Sequence, residues 1–299
     1  MKKSFGSVLF LLFLALAVSS AGQDYFYEDY DVPYVPTRYE VVDKMLEMAD
    51  VQKDDILYDL GCGDGRIVVT AAERYGTRGV GIDINPVRIE ESMENANNAG
   101  VTDKVQFIEQ NLFDADIREA TVVTLYLLES VNLKLRPKLF RDLKPGTRIV
   151  SHNYSMGQWE PELSAKVDTA GIEHSVYFWV LPANVSGKWE WTLSSGSNNT
   201  QYILSIDQDF QVVIGTIYAG GIIIPIKHLA IDGDRLAIEV YQEINGTTEL
   251  LEFSGSVNGD TIEGSVRSKS GTSSNTGTWK ALRDPSTAIP LDTSDSESH

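Results

Sequence analysis

Residues 57–66 read LYDLGCGDGR, an apolar, strand-like run that ends in an acid and opens into three glycines at alternate positions. Glycine lets a backbone turn with positive φ and pass close beside a ligand, so Gly61, Gly63 and Gly65 mark a loop shaped to touch something. Dinucleotide-binding loops space their glycines G-x-G-x-x-G and face a pyrophosphate with a helix N-terminus. Here the spacing is G-x-G-x-G, and Asp59 stands two residues before the first glycine. A carboxylate at that point repels a pyrophosphate and suits a ligand that carries an ammonium group.

Outward from this loop, strand and helix patterns alternate. DILYDL (55–60) predicts a strand, RIVVTAAERY (66–75) a helix, GVGIDI (79–84) a strand and PVRIEESMENANNAG (86–100) a helix, with Asn85 as cap, Pro86 in the first turn and Gly100 past the end. KVQFIEQ (104–110) and ATVVTLYLL (120–128) predict strands, a helix follows near Val131–Leu143, and TRIVSHNY (147–154) predicts another strand. Upstream, Pro33 and Pro36 in VPYVPT (32–37) set an extended path before a helix that Thr37 could cap, with Val41, Val42, Met45, Leu46 and Met48 on its apolar side. This order implies an α/β, Rossmann-like fold, doubly wound around a mostly parallel sheet, with a ligand crevice at the carboxyl ends of the strands.

Asp83 closes the second strand about twenty residues beyond the loop, where an acid reaches ribose hydroxyls. After the third strand, NLFDAD (111–116) offers Asn111, Leu112 and Asp114 to an adenine edge. An amino-acid end at Asp59, a ribose at Asp83 and a base at Asn111 together describe S-adenosyl-L-methionine.

Residues 33–181 resemble a class I S-adenosylmethionine-dependent methyltransferase. More narrowly, they resemble bacterial relatives of the mitochondrial lysine methyltransferases that act on the ATP synthase c-subunit and the adenine nucleotide translocase. The shared pieces are VPYVPT, YDLGCGDGRIV (58–68), GVGIDINP (79–86), YLL (126–128) and LRPKLFRDLKPGTRIVSH (135–152). The resemblance implies that Asp59, Gly61, Gly63 and Gly65 hold the methionine end, that Asp83 holds the ribose, that Thr37 lies near the cofactor, and that the acceptor approaches Tyr126. Asn111 stands where the family usually has Asp, and its carbonyl can still accept from an adenine amine.

Methyl transfer needs alignment and exclusion of water. An amine acceptor such as lysine must also lose a proton, which apolar and aromatic walls favour. Tyr126, Glu129, His152 and Tyr154 sit at the ends of the fourth and fifth strands; Tyr126 and His152 are the expected catalytic residues. Glu129 reads as a helix-start charge. No metal-ligand pattern is expected. The acceptor is expected to be a protein lysine or a small amine; the alternative is an exported, non-catalytic module that binds adenosyl compounds. Nucleic acid is disfavoured by a net charge of -18 and by LYLLES (125–130), where adenine-methylating enzymes carry an N/D-P-P-Y type motif.

The chain has 299 residues, 42% of them hydrophobic, enough for two domains. Residues 1–23 carry two lysines, an apolar run from Ser7 to Val18 and small residues, the pattern of a secretory signal peptide. Export, periplasmic or extracellular, is the expectation; the alternative is an anchor through an uncleaved N-terminus, the one segment expected to meet a membrane. The single cysteine, Cys62, excludes an intrachain disulfide. Residues 24–32 form an acidic linker and 33–182 the methyltransferase domain. Residues 183–284 predict an antiparallel, barrel-like all-β domain of about eight strands split by Asp-Gly, Asn-Gly and Ser-rich turns. Its early G-x-W (Gly187, Trp189) and repeated Gly-Asp turns are similar to lipocalin-like modules, which leaves room for an apolar ligand. Residues 285–299 are polar and predicted to be disordered.

Overall fold

The computed structural model describes residues 32–195, 198–244, 246–271 and 273–292. The predicted signal peptide, the acidic linker as far as residue 31, and residues 293–299 of the tail lie outside the described residues. Among the described residues no helix is long and apolar enough to cross a membrane.

The first half builds a seven-stranded sheet. Its strands are β1 (Ile56–Leu60), β2 (Arg78–Asp83), β3 (Val105–Glu109), β4 (Val122–Leu125), β5 (Arg148–His152), β6 (Leu163–Thr169) and β7 (Ile172–Val180), in the spatial order β3-β2-β1-β4-β5-β7-β6. β1 to β5 are mutually parallel, β7 pairs antiparallel to β5, and β6 pairs antiparallel to β7. Helices α1 (Tyr39–Met48), α2 (Arg66–Tyr75), α3 (Pro86–Ala99) and α4 (Glu129–Asp142) cover the sheet. The order reverses between β1 and β4, so their carboxyl ends open the crevice such folds use for ligands.

Local chemistry explains the boundaries. The Asn85 side chain caps α3 by accepting from the Val87 amide, Pro86 fills its first position, and Gly100 ends it in a left-handed conformation. The apolar face of α1 buries Val41, Val42, Met45 and Leu46, each worth about 1.5–3 kcal/mol of transfer from water. Thr37 does not cap α1 as the sequence suggests. The N-cap is Arg38 without a side-chain bond, because the Thr37 hydroxyl turns inward to His152. The β6–β7 hairpin has no counterpart in the sequence-based strand reading; β6 alternates exposed and half-buried residues, the pattern of a strand at a sheet edge.

Among the described residues the second half is an antiparallel meander of nine strands. These are β8 (Gly187–Ser195), β9 (Asn198–Asp209), β10 (Val212–Ala219), β11 (Ile222–Ile224), β12 (Ile226–Asp232), β13 (Arg235–Ile244), β14 (Thr247–Asn258), β15 (Thr261–Ser270) and β16 (Ser273–Arg283). Eight were expected; Pro225 breaks the stretch GIIIPIKHLAI into β11 and β12, since proline has no N–H to give a ladder. β8 pairs with β16, which curls the sheet into a nearly closed barrel whose ends, β11 and β12, do not pair. That closing contact is short, Glu190 opposite Leu282 and Trp189 opposite Arg283.

Trp191, Tyr202, Phe253 and Trp279 fill the interior. Trp191 and Tyr202 stack with centroids 5.2 Å apart, and Phe253 and Trp279 meet edge to face at 5.1 Å.

The halves share a core around Trp159. Its ring packs on Phe140 at 4.7 Å and on Phe210 at 5.8 Å, and its indole N–H donates to Gln211 Oε1 at 2.7 Å. The described residues from Tyr34 onward accordingly form one compact unit.

The first part of the predicted disordered tail is fixed against this unit. Ile289 O accepts from Asn184 Nδ2 at 2.7 Å and from Ser186 Oγ at 2.8 Å. Asp292 Oδ1 accepts from Arg136 Nη2 on α4 at 2.6 Å, with both side chains about 1% exposed. Polar composition suggested disorder, but a buried arginine needs an anion, and Asp292 supplies it.

Candidate active site

The glycine loop leaves β1 and enters α2 with φ of +82° at Gly61, +54° at Gly63 and +73° at Gly65. At Gly63 a Cβ would lie 2.5 Å from Tyr34 Cε2, so only a bare backbone fits beneath that ring. Helix α3 grips the loop from the other side: Ser92 Oγ donates to Gly63 O at 2.8 Å and Asn95 Nδ2 to Asp64 O at 2.9 Å. Arg66 forks onto Asp64 and sends Nη1 to Thr37 O at 2.8 Å, tying the segment before α1 to the loop. Cys62 is buried, and desolvation, with the charges of Asp59 and Asp83 adding, pushes its thiol well up and favours the neutral form.

Two carboxylates flank this loop. Asp83 accepts from Gly63 N at 2.8 Å on one oxygen and from Asn85 N at 2.9 Å on the other, which fixes its plane and leaves each oxygen a lone pair for a hydroxyl. Asp59 is 2% exposed and accepts from Thr124 Oγ1 at 2.8 Å. Burial pushes its pKa up to about 7 against the Thr124 hydrogen bond, and the charges of Asp83 and Asp64 add to the rise. A buried carboxylate held at the edge of ionisation is completed by a cation. The donor set therefore fits S-adenosylmethionine, with Asp59 toward its ammonium-bearing end and Asp83 toward its ribose.

Gln110 N donates to Asp83 O at 2.9 Å, which brings the 110–114 turn beside Asp83. In that turn the Asn111 carbonyl accepts from Phe113 N at 3.0 Å, so the oxygen expected to meet an adenine amine is already engaged once. Leu112 is half-buried in the same turn, and Asp114 N closes it onto Asn111 O at 3.0 Å.

Tyr126 and His152 are brought together at the ends of β4 and β5, with ring centroids 3.8 Å apart; Tyr154 lies 6.4 Å beyond Tyr126. His152 is 1% exposed, and desolvation lowers its pKa to about 4 with the adjacent His174 adding to the drop, so the ring is neutral. Burial raises the Tyr126 phenol while a bond to Asn153 opposes it. Glu129 opens α4 and accepts from Ser155 Oγ at 2.6 Å, in keeping with a helix-start charge rather than a base.

Three supports escape the sequence reading. Thr124 orients Asp59, and His174 holds His152. Asn132 on α4 sends its Nδ2 to Tyr154 O and Ser155 O, both at 3.2 Å, and so fixes the loop that carries Tyr154. Asn132 had a usable signal, a polar residue one position after Val131 on the face that also buries Leu135 and Leu139. The threonine and the second histidine had none, because only the sheet register brings them to the site.

A glycine loop beneath an aromatic lid, an acid at each of the first two strand ends, and an aromatic wall after β4 define a class I methyltransferase site. The family described as the ANTKMT methyltransferase domain matches residues 59–163. A protein-lysine N-methyltransferase of Saccharolobus islandicus is 50% identical over 151 residues, which make up 50% of this chain and 94% of that protein. The adenine nucleotide translocase lysine N-methyltransferase of Mus musculus is 32% identical over 131 residues, 44% of this chain and 56% of that protein. The Homo sapiens lysine N-methyltransferase named for the ATP synthase c-subunit is 27% identical over 131 residues, 55% of that protein. The chain thus spans little more than half of those last two relatives. Among solved structures, an RNA methyltransferase from Salinibacter ruber in complex with S-adenosyl-L-homocysteine is 57% identical, with 49% of this chain and 93% of that chain covered at a TM-score of 0.46. The chain belongs to the family of the Saccharolobus enzyme and is an S-adenosylmethionine-dependent methyltransferase.

Proposed function

We propose that this protein N-methylates a lysine side chain of a protein. The observation that carries the reading is the pairing of a buried, neutral His152 with Tyr126 at 3.8 Å beside the glycine loop. Such a wall desolvates an incoming ammonium and favours its neutral, nucleophilic form. S-adenosylmethionine, when bound, supplies an already activated methyl group. The chain then has to hold the acceptor in line, exclude water and accept one proton. Tyr126 and Tyr154 provide the wall, Asn132 fixes the loop beneath it, and Thr37 with His152 offers the proton-accepting end. The relatives named as lysine methyltransferases support the same acceptor.

A small amine would meet the same wall, and a net charge of -18 speaks against a long nucleic acid contact. We place the enzyme outside the cytoplasm on the pattern of residues 1–23; fractionation of the producing cells tests that placement. The barrel we read as a packed partner of the catalytic half.

The deciding experiment offers tritiated-methyl S-adenosylmethionine to membrane and periplasmic extracts and to RNA, with mass spectrometry of the labelled product. Methyl-lysine in protein is the expected result. Label confined to RNA, or to no macromolecule and no amine, would overturn the reading.

A further inference from the structure

The catalytic half holds a second histidine behind the first. Thr37 Oγ1 lies 3.3 Å from His152 Nδ1, His152 Nε2 lies 2.9 Å from His174 Nδ1, and His174 Nε2 lies 2.8 Å from Thr169 Oγ1. Both nitrogens of each imidazole are engaged, and the four groups form one unbroken line.

Strand register makes this line. His152 on β5 pairs with Val176 on β7, and His174 two residues earlier on β7 shares that face. His174 in turn pairs with Val167 on β6, and Thr169 follows on the same side. The line therefore starts at Thr37, whose carbonyl is tied to the glycine loop through Arg66, and crosses β7 to β6, the last strand of the sheet. His152 is 1% exposed and cannot give a proton to water itself, whereas His174 is half-buried.

We infer that Thr37, His152, His174 and Thr169 form a proton-conducting chain that carries the proton lost by the acceptor amine from the crevice to the edge of the sheet. This rests on the amine-acceptor reading above. The ammonium N–H bond breaks and its proton joins Thr37 Oγ, while the Thr37 hydroxyl proton passes to His152 Nδ1. The Nε2 proton of His152 passes to His174 Nδ1, and the Nε2 proton of His174 joins Thr169 Oγ, 8% exposed on the edge strand, which gives up its own hydroxyl proton to solvent. One proton enters, one leaves and no group changes charge; both imidazoles end in the opposite tautomer and reset by the reverse hops once the methylated product has left, with Thr37 releasing its extra proton to water in the emptied crevice. His174 acts through His152 and is a positioning residue.

Few other charges bear on this line. β4 contributes Tyr126 and the β5 exit Tyr154. α1 presents its apolar residues Val41, Val42, Met45 and Leu46 to the core, with Asp43 bound to Arg74, Lys44 bound to Glu47 and Glu40 exposed. On β6 and β7, Lys166, Asp168 and Glu173 alternate onto the opposite face.

The test is the pH-rate profile of His174→Phe and His174→Gln on the wild-type acceptor. Positioned proton transfer contributes about a hundredfold or more, so kcat should fall about a hundredfold at pH 7 in both variants. The loss should shrink steadily toward pH 10, where the amine sheds its proton unaided. Cofactor affinity and melting temperature should stay near wild type for His174→Gln, which keeps a hydrogen-bonding side chain. Nitrogen-15 histidine spectra of the wild type should show a hydrogen-bonded imidazole N–H that vanishes in His174→Phe. A loss of equal size at every pH, or no loss, would overturn the relay while leaving lysine methylation standing. A wild type that methylates no amine would overturn both.

Discussion

The inner strands of the seven-stranded sheet are buried almost throughout, whereas a barrel strand such as β14 alternates buried and exposed residues, and the first sheet ends in an open crevice while the second closes around aromatic side chains. In the first, β1, β2 and β4 run parallel, so each must exit at the same end and hand over to a helix. Loop backbone, Asp59, Asp83 and Tyr126 are thereby gathered at one rim. In the barrel every paired neighbour is antiparallel, and its buried side chains gather in one apolar cluster. Trp191, Tyr202, Phe253 and Trp279, each at most 4% exposed, pack against one another there. Connectivity, more than composition, decides which half can do chemistry.

The sharpest way to break this contrast is at the crevice. Valine at Gly63 would combine a branched side chain at φ +54° with a Cβ 2.5 Å from Tyr34, so Gly63→Val should weaken S-adenosylmethionine binding by more than about a hundredfold, about 3 kcal/mol. Asp59→Ala should do the same by removing the anion beside the ligand's ammonium. Equilibrium dialysis of both variants checks this, with circular dichroism to confirm that the sheet survives.

A second test addresses the seam between the halves. Arg136 on α4 lies on the Phe210 ring at 5.1 Å and pairs with Asp292 in a nearly dry site. Removing one partner of a buried pair costs about 3 kcal/mol, so Asp292→Ala should lower the denaturant midpoint of the whole unit as a single transition. Two separated transitions would show that catalytic half and barrel are independent domains.

Electrostatics at the rim supply a finer test. Asp59 has a folded pKa of about 7 against 3.8 in an unfolded chain. Its neutral form therefore contributes stability that is complete below about pH 4 and is lost as pH rises through about 7. Melting of the ligand-free protein should decline across that window, and Asp59→Asn should flatten the decline. Ligand affinity should move the other way, rising toward pH 8 as the carboxylate ionises. The smallest expected effect is in the barrel: a fluorescent fatty-acid analogue should show no saturable binding, and saturable binding competed by unlabelled lipid would mean the interior opens.

Much of the catalytic half is legible because its signals are local. Glycines at alternate positions, Asn85 with Pro86 ahead of α3, and an acid at each strand end announce their roles within a few residues, and the structure puts them at one rim. What stays hidden depends on pairing across long sequence separation. Thr124 reaches Asp59 only because β1 and β4 are neighbours, and His174 reaches His152 only through the β5–β7 register. Thr37 reads as a cap since nothing near it in sequence reveals a histidine 115 residues away. The segment 285–292 looks disordered because its composition is polar, while the reason for its order, Arg136, lies on a helix of the other half.

Everything at the rim presupposes that an amino-acid-bearing adenosine compound enters the crevice between Asp59 and Asp83. Isothermal titration of the protein with S-adenosylmethionine, and separately with NAD, tests that most directly. Saturable heat at one site per chain for the first and none for the second is the predicted result. No heat with S-adenosylmethionine, or binding of NAD in its place, would contradict it.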